Sequence, residues 1–317
     1  MTNRLTRMPL LLPSILALAG CSGAADTGTV EVRLEAEDTL VGGLAAGTGD
    51  EAIVDGWNVT FDQYVLAIGD VRLEGGPGTG PWREPEIVAV DLTEASATDR
   101  PLARFEGVRA GAWPTFGYGL GVVTASTTRD PSVPQADFDR MVAEGCTYLI
   151  RGTLAPATGA GRRCVRGDAT QCTDVTEIAF DLCVPAAVTF GPCQTDTGTA
   201  GLTVTAGLTT SATATLHGDH LFFNGFPEGA EGVVARRAQW LANADVDADG
   251  LVTRTDLEAI GASDLGALLP STFADGMPGF SLGGAPRPLN TAWDYVGAQL
   301  VTQGHFGGEG ECPWTLP

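Results

Sequence analysis

Six cysteines, Cys146, Cys164, Cys172, Cys183, Cys193 and Cys312, constrain the fold of this 317-residue chain more than any other feature. The N-terminus reads as an export signal, with Arg4 and Arg7 ahead of an apolar stretch from Met8 to Ala17. That stretch is too short to span a bilayer, and Pro9 and Pro13 break it. An exported chain meets an oxidising compartment, where an even set of cysteines forms disulfides, and no close C-x-x-C pair argues for a thiolate metal cluster. Strand patterning narrows the pairing. The runs Thr147–Leu154 and Val175–Leu182 read as strands separated by a Gly- and Arg-rich loop. Folded as a hairpin, they set Cys146 opposite Cys183 and bring Cys164 to Cys172 nearer the tip. Cys193 then pairs with Cys312, tying the C-terminus back to the body.

The seventh cysteine closes the leader. Leu18-Ala19-Gly20-Cys21 resembles the lipobox of bacterial lipoproteins, in which small residues admit a peptidase and the thiol takes a diacylglycerol. The resemblance implies a signal peptide over 1–20, lipidation at Cys21 and a flexible tether over 21–28, so the chain is anchored to a membrane with no spanning helix. The residue at position 22 is Ser and not Asp, which by the same resemblance favours the outer membrane of the cell envelope over the inner one. Formal net charge is −21, a field that repels nucleic acid and attracts cations.

From 29 to 224 the pattern is one of short strands with Gly- and Pro-rich punctuation. Thr29–Glu35 alternates apolar and polar residues; Trp57–Ile68 and Val71–Leu73 follow, separated at Gly69-Asp70. Ile87–Leu92, Leu102–Val108, Phe116–Val123, the cysteine hairpin, Leu202–Leu208 and Ala212–Leu216 complete the set, with one short helix over Gln135–Ala143. The expected fold class is mainly β, an antiparallel β-sandwich or barrel, carrying a helical C-terminal segment over 225–317. In that segment Glu231–Ala244 reads as an amphipathic helix with Val234, Ala238 and Leu241 on one stripe, Val233 and Trp240 beside it, and Arg236 and Arg237 on the wet side. A second helix begins near Arg254 and a third covers Thr291–Val301.

Between the first two lies Asp245-Val-Asp247-Ala-Asp249-Gly250-Leu251-Val252-Thr253-Arg-Thr-Asp256, which fits an EF-hand calcium loop at its chemical positions. Calcium takes six to eight hard oxygens. Asp245, Asp247 and Asp249 supply carboxylates at positions 1, 3 and 5, Gly250 the sharp turn, Leu251 a backbone carbonyl and Thr253 a direct or water-borne contact. Asp256 replaces the usual position-12 glutamate, and its shorter side chain points to a weaker site or a tighter loop. The Asp-ending loop is similar to that of extracellular calcium modules of the dockerin type.

Three histidines occur, His217, His220 and His305. Imidazole suits zinc and copper, and a site of His217, Asp219, His220 and His305 requires two conditions. On a continuous strand His217 and His220 face opposite ways, so Gly218-Asp219 has to turn the chain, and the Cys193–Cys312 bridge has to bring His305 alongside.

The segments Gly56-Trp57-Asn58-Val59-Thr60-Phe61-Asp62, His217-Gly218-Asp219-His220 and Gly304-His305 together resemble a group of Gram-negative secreted lipoproteins with an EF-hand-like loop, a resemblance that implies no activity. Within residues 57–121, Val90-Asp91-Leu92, Gly107-Val108-Arg109-Ala110-Gly111 and Phe116-Gly117-Tyr118-Gly119-Leu120-Gly121 resemble the methanobactin-associated copper-binding periplasmic family. That family's β fold holds copper, but its ligands find no residue-by-residue match here, so copper enters as an alternative metal. No Gly-x-Ser-x-Gly elbow, HExxH motif or phosphate-binding glycine loop marks an enzyme. The expectation is a membrane-anchored calcium-binding protein with a structural or surface-binding role; transition-metal binding through the histidines is the alternative.

Overall fold

The computed structural model describes residues 26–49, 51–78, 80–94, 99–226, 234–269, 276 and 279–317. The leader, Cys21 and the start of the tether lie outside them. Among the described residues, no helix is long and apolar enough to cross a membrane.

The chain is mainly β. In order, the strands are β1 (Thr27–Ala36), β2 (Trp57–Glu74), β3 (Trp82–Asp91), β4 (Arg100–Arg109), β5 (Gly111–Trp113), β6 (Thr115–Leu120), β7 (Thr128–Arg129), β8 (Tyr148–Pro156) and β9 (Gly161–Cys164). They continue as β10 (Cys172–Val175), β11 (Ile178–Val184), β12 (Val188–Phe190), β13 (Leu202–Val204), β14 (Thr209–Leu216), β15 (Leu251–Thr253), β16 (Gly304–Phe306), β17 (Gly310–Glu311) and β18 (Trp314–Thr315). A five-stranded sheet runs β17-β16-β14-β1-β4, and a nine-stranded sheet runs β15-β11-β8-β2-β6-β12-β18 with β3 and β7 branching from β2. The sheets curl into a half-barrel around one core.

The expectation of a purely antiparallel fold is corrected: β1 lies parallel to β14, β11 to β15 and β3 to β7. Parallel neighbours require a long crossover between them, and each of these pairs joins strands far enough apart in the chain to supply one.

Burial follows from side-chain alternation. Val30, Val32 and Leu34 of β1 point into the core while Glu31, Arg33 and Glu35 face outward. β2 begins with the same alternation, Trp57, Val59 and Phe61 inward, and then becomes apolar throughout Tyr64–Ile68. Both of its faces are covered there. Tyr64, Leu66 and Ile68 join the main core, while Val65 and Ala67 join a smaller one with Phe138 and Met141 of helix Gln135–Glu144. The break expected at Gly69-Asp70 is instead a bulge within one long strand, with Asp70 at φ 47° and ion-paired to Arg83.

The C-terminal segment is less helical than its pattern implies. Among the described residues its α-helices are Gln239–Asn243, Arg254–Glu258 and Ala292–Leu300, with a 3₁₀ helix over Ala262–Ala267, and β15 to β18 enter the two large sheets. In place of the first part of the long amphipathic helix, residues 234–238 run outside any helix, with Arg236 bridging to both Ile53 and Phe223; Val233 lies outside the described residues. Arg236 and Arg237 therefore do not form a wet face. Arg237 is fully buried, and Arg236 ion-pairs with buried Asp219. The third helix starts at a capping box, Thr291 with Asp294.

Three disulfides join Cys146 to Cys183, Cys164 to Cys172 and Cys193 to Cys312, the pairing expected from the hairpin. Cys164 and Cys172 stand opposite each other in the β9–β10 ladder. The bridges close loops of 119, 37 and 8 residues, so chain entropy ranks their contributions at about 5, about 4 and about 2.5 kcal/mol. Urea unfolding of paired Cys→Ala variants is expected to follow that order, with Cys193/Cys312 costing most.

Candidate functional site

Two clusters of ligand-type side chains stand out. The first is the 245–256 loop, flanked by Gln239–Asn243 and Arg254–Glu258. Gly250 takes φ 87°, a left-handed turn that residues with a Cβ adopt only under strain. Asp245 is fully buried. Its Oδ2 accepts from the Gly250 N–H at 3.1 Å and from the Arg163 guanidinium at 2.6 Å, while its Oδ1 is buried without a hydrogen-bond partner. Ligand oxygens of Asp245, Asp247 and Asp256 all lie within 4.8 Å of one another. Asp249 is exposed and turns its Oδ1 onto the Leu251 N–H. Because a strand residue directs its N–H and C=O to one edge, the Leu251 carbonyl also faces away from β11. Thr253 and Asp256 form a capping box, in which Asp256 Oδ2 accepts from the Thr253 N–H and hydroxyl. Asp256 is thus shared between the helix start and the loop, which limits it as a bidentate ligand.

Sequence reasoning missed Arg163. It is buried on β9, held by the Cys164–Cys172 hairpin, and its ion pair offsets part of the charge gathered in the loop. A buried arginine beside a cysteine in a polar loop leaves no periodic signal.

The second cluster gathers all three histidines. Past β14 the chain turns through a short 3₁₀ helix, Gly218–Phe222, which places His217 and His220 on one side. Gly218 permits this turn by close approach: a Cβ there would stand 2.1 Å from Leu40 Cδ2. His305 arrives on β16, paired with Thr215 of β14. Ring centroids are 4.1 Å apart for His217–His305, 5.4 Å for His220–His305 and 5.9 Å for His217–His220, and ligand nitrogens of all three fall within 4.8 Å of one another.

Asp219, expected among these ligands, is turned away into its ion pair with Arg236. Glu37 takes the place beside His217, its carboxylate 3.2 Å from Nδ1, and Glu309 also comes within ligand distance of that pair. Neither Glu309, between β16 and β17, nor Glu37, just past the end of β1, was expected among the ligands, and neither gave a local sign. Glu144 approaches Cys146 and Cys183, but that disulfide has no thiolate to give.

Burial, reinforced by His305 and His217, drives the His220 ring well below its usual pKa. Burial and His217 lower His305 to about 4. Burial also pulls His217 down, but the hydrogen bond and charge of Glu37 outweigh it and the net shift is upward; the same contact overcomes burial to hold the Glu37 carboxyl low. His220 and His305 are neutral at pH 7. No protein-family model, curated protein or solved structure matches the chain.

A base whose folded pKa lies below its unfolded value binds fewer protons folded than unfolded, so its stability is present above about pH 6.5 and drains away as pH falls toward the folded value. The stability contributed by His305 is expected to be lost from metal-free protein between pH 6.5 and about 4, against an opposite contribution from Asp55, whose carboxyl burial raises to about 6. Urea titrations of wild type and His305→Asn at several pH values check this, and the difference between the two is expected to shrink as pH falls across that window.

Proposed function

We propose that the chain is a cell-envelope lipoprotein, anchored through Cys21, whose loop from Asp245 to Asp256 holds one calcium ion that stiffens the C-terminal segment for a structural or surface-binding role. The observation that carries the reading is the buried, unpartnered Oδ1 of Asp245, set among the carboxylates of Asp247 and Asp256 while Oδ2 is occupied by Gly250 and Arg163. Leaving a buried carboxylate oxygen without a donor is costly in the folded state, and a hard cation relieves that cost. Further support comes from the turn at Gly250 and the Leu251 carbonyl directed off the sheet edge. The loop is EF-hand-like in its ligand order, with short helices on either side. Asp256, engaged in the capping box, places the affinity near the weak end for such loops, roughly 10⁻⁴ to 10⁻³ M.

Isothermal titration calorimetry is expected to give one calcium site, and calcium at about 100 times Kd should add about 2.7 kcal/mol of stability. Asp247 is exposed and bonds only within the loop, so Asp247→Ala should remove binding and the calcium-dependent gain while leaving calcium-free stability unchanged. Asp245→Asn instead strands Arg163 and should destabilise even calcium-free protein, by about 3 to 5 kcal/mol. A calcium titration without heat, or one unaltered by Asp247→Ala, contradicts the reading.

The anchor has a separate test. Radiolabelled palmitate fed to cells making the full chain should enter the protein and co-fractionate with membranes, and Cys21→Ser should abolish both.

A further inference from the structure

All three histidines of the chain meet at one point in the fold, although two lie after β14 and the third almost ninety residues later on β16. The hydrogen bonds around them decide which nitrogens are free. The Thr302 hydroxyl donates to the Gln299 carbonyl, so toward His220 its oxygen acts as acceptor at 2.9 Å from Nδ1. The proton of the neutral His220 ring therefore sits on Nδ1, and Nε2 carries a lone pair. His305 Nδ1 is buried with no hydrogen-bond partner, while the backbone at Glu309 and Gly310 takes hydrogen bonds from the same ring. Its free lone pair is thus on Nδ1. His217 has Nδ1 on Glu37 and Nε2 3.2 Å from the Gly308 carbonyl.

We propose that His217, His220 and His305 form a three-imidazole site for a divalent late transition ion of the zinc class, with Glu37 as the positioning residue that holds His217. The His305 Nδ1 lone pair is buried with no donor to accept from, which a structural role for this ring leaves unexplained, and the bond of His220 Nδ1 to Thr302 leaves the lone pair of that ring on Nε2. On metal binding His217 keeps its Nδ1 proton on Glu37 and gives up to solvent the Nε2 proton that the Gly308 carbonyl accepts, which frees Nε2 as the ligand in the carboxylate–histidine–metal arrangement that fixes a ligand ring. Zinc–nitrogen bonds of about 2.0–2.1 Å put tetrahedral ligand atoms about 3.4 Å apart. One nitrogen from each ring lies within 4.8 Å of one from each of the others, so the rings need to close by at most about 1.4 Å, a matter of small side-chain rotations. Charge agrees as well: among the described residues Glu37, Asp219 and Glu309 act on the rings against the guanidinium of Arg236, an excess of negative charge that suits a divalent cation. Three protein ligands leave a fourth position for water or another small ligand.

The test uses the purified full chain, freed of metal and then kept in excess calcium so that the acidic loop is filled. Co²⁺ serves as the visible probe of a zinc-class site. One equivalent is expected to give ligand-field absorption of the intensity seen with four- or five-coordinate cobalt, and Zn²⁺ to bleach it. His220→Ala and His305→Ala should each abolish the band, Glu37→Gln should weaken binding about 10- to 100-fold, and Asp247→Ala should leave it unchanged. In case the alanine variants fail to fold, the wild-type chain supplies an independent reading. Its three imidazoles give three sets of ring nitrogen resonances, and Zn²⁺ should shift all of them together. No band and no shift in the wild type, or a band that persists in folded His220→Ala and His305→Ala, overturns the site.

Discussion

The return of the C-terminus onto β14 is the contact on which the rest of the molecule depends. β16 pairs with β14, Cys312 bridges to Cys193, and β18 adds to β12 in the opposite sheet, so the last fourteen residues clamp both sheets at once. The clamp is reinforced from the core, where the Tyr118 hydroxyl donates to the His305 carbonyl and the Tyr64 hydroxyl to Gln303. Burying those two phenols unpaired would be costly, and their hydrogen bonds tie β2 and β6 to the returning chain. This single closure turns two curled sheets into one core and also carries His305 to the other histidines.

Charge balance is the second constraint. The chain is strongly acidic, and among the described residues three carboxylates inside the fold meet specific charged partners: Asp245 has Arg163, Asp219 has Arg236, Glu37 has His217. Such pairs roughly offset the desolvation they incur and add little net stability, but removing one member leaves a charge uncompensated. Among the buried acceptors that no donor reaches, two lie within clusters of ligand-type side chains, Asp245 Oδ1 and His305 Nδ1. Both would be relieved by cations, of different hardness.

Period-two alternation made β1, β4 and β14 legible, and the hairpin argument gave all three disulfides. The C-terminal segment was harder to read. An apolar stripe at Val234, Ala238 and Leu241 has helical spacing, yet Arg236 is drawn into bridges with Ile53 and Phe223, and tertiary pairing overrides local period. Parallel pairing of β1 with β14 leaves no trace in either strand, because it depends on a crossover. Within the candidate site, the clustering of Asp245, Asp247 and Asp256 was readable because their order is local. Convergence of the histidines hung on two conditions, a turn at Gly218 and the Cys193–Cys312 bridge, and the fold contains both. Glu37, Arg163 and Thr302 were invisible, since each reaches its partner only through long-range packing.

Calcium content measured by elemental mass spectrometry, on full-length chain isolated from calcium-containing buffer and passed through a desalting column equilibrated with the same free calcium, is the most direct measurement of the central reading. The predicted result is one calcium per chain above the buffer level, absent from Asp247→Ala. Wild-type and variant protein carrying equal calcium, or none above buffer in either, would contradict it.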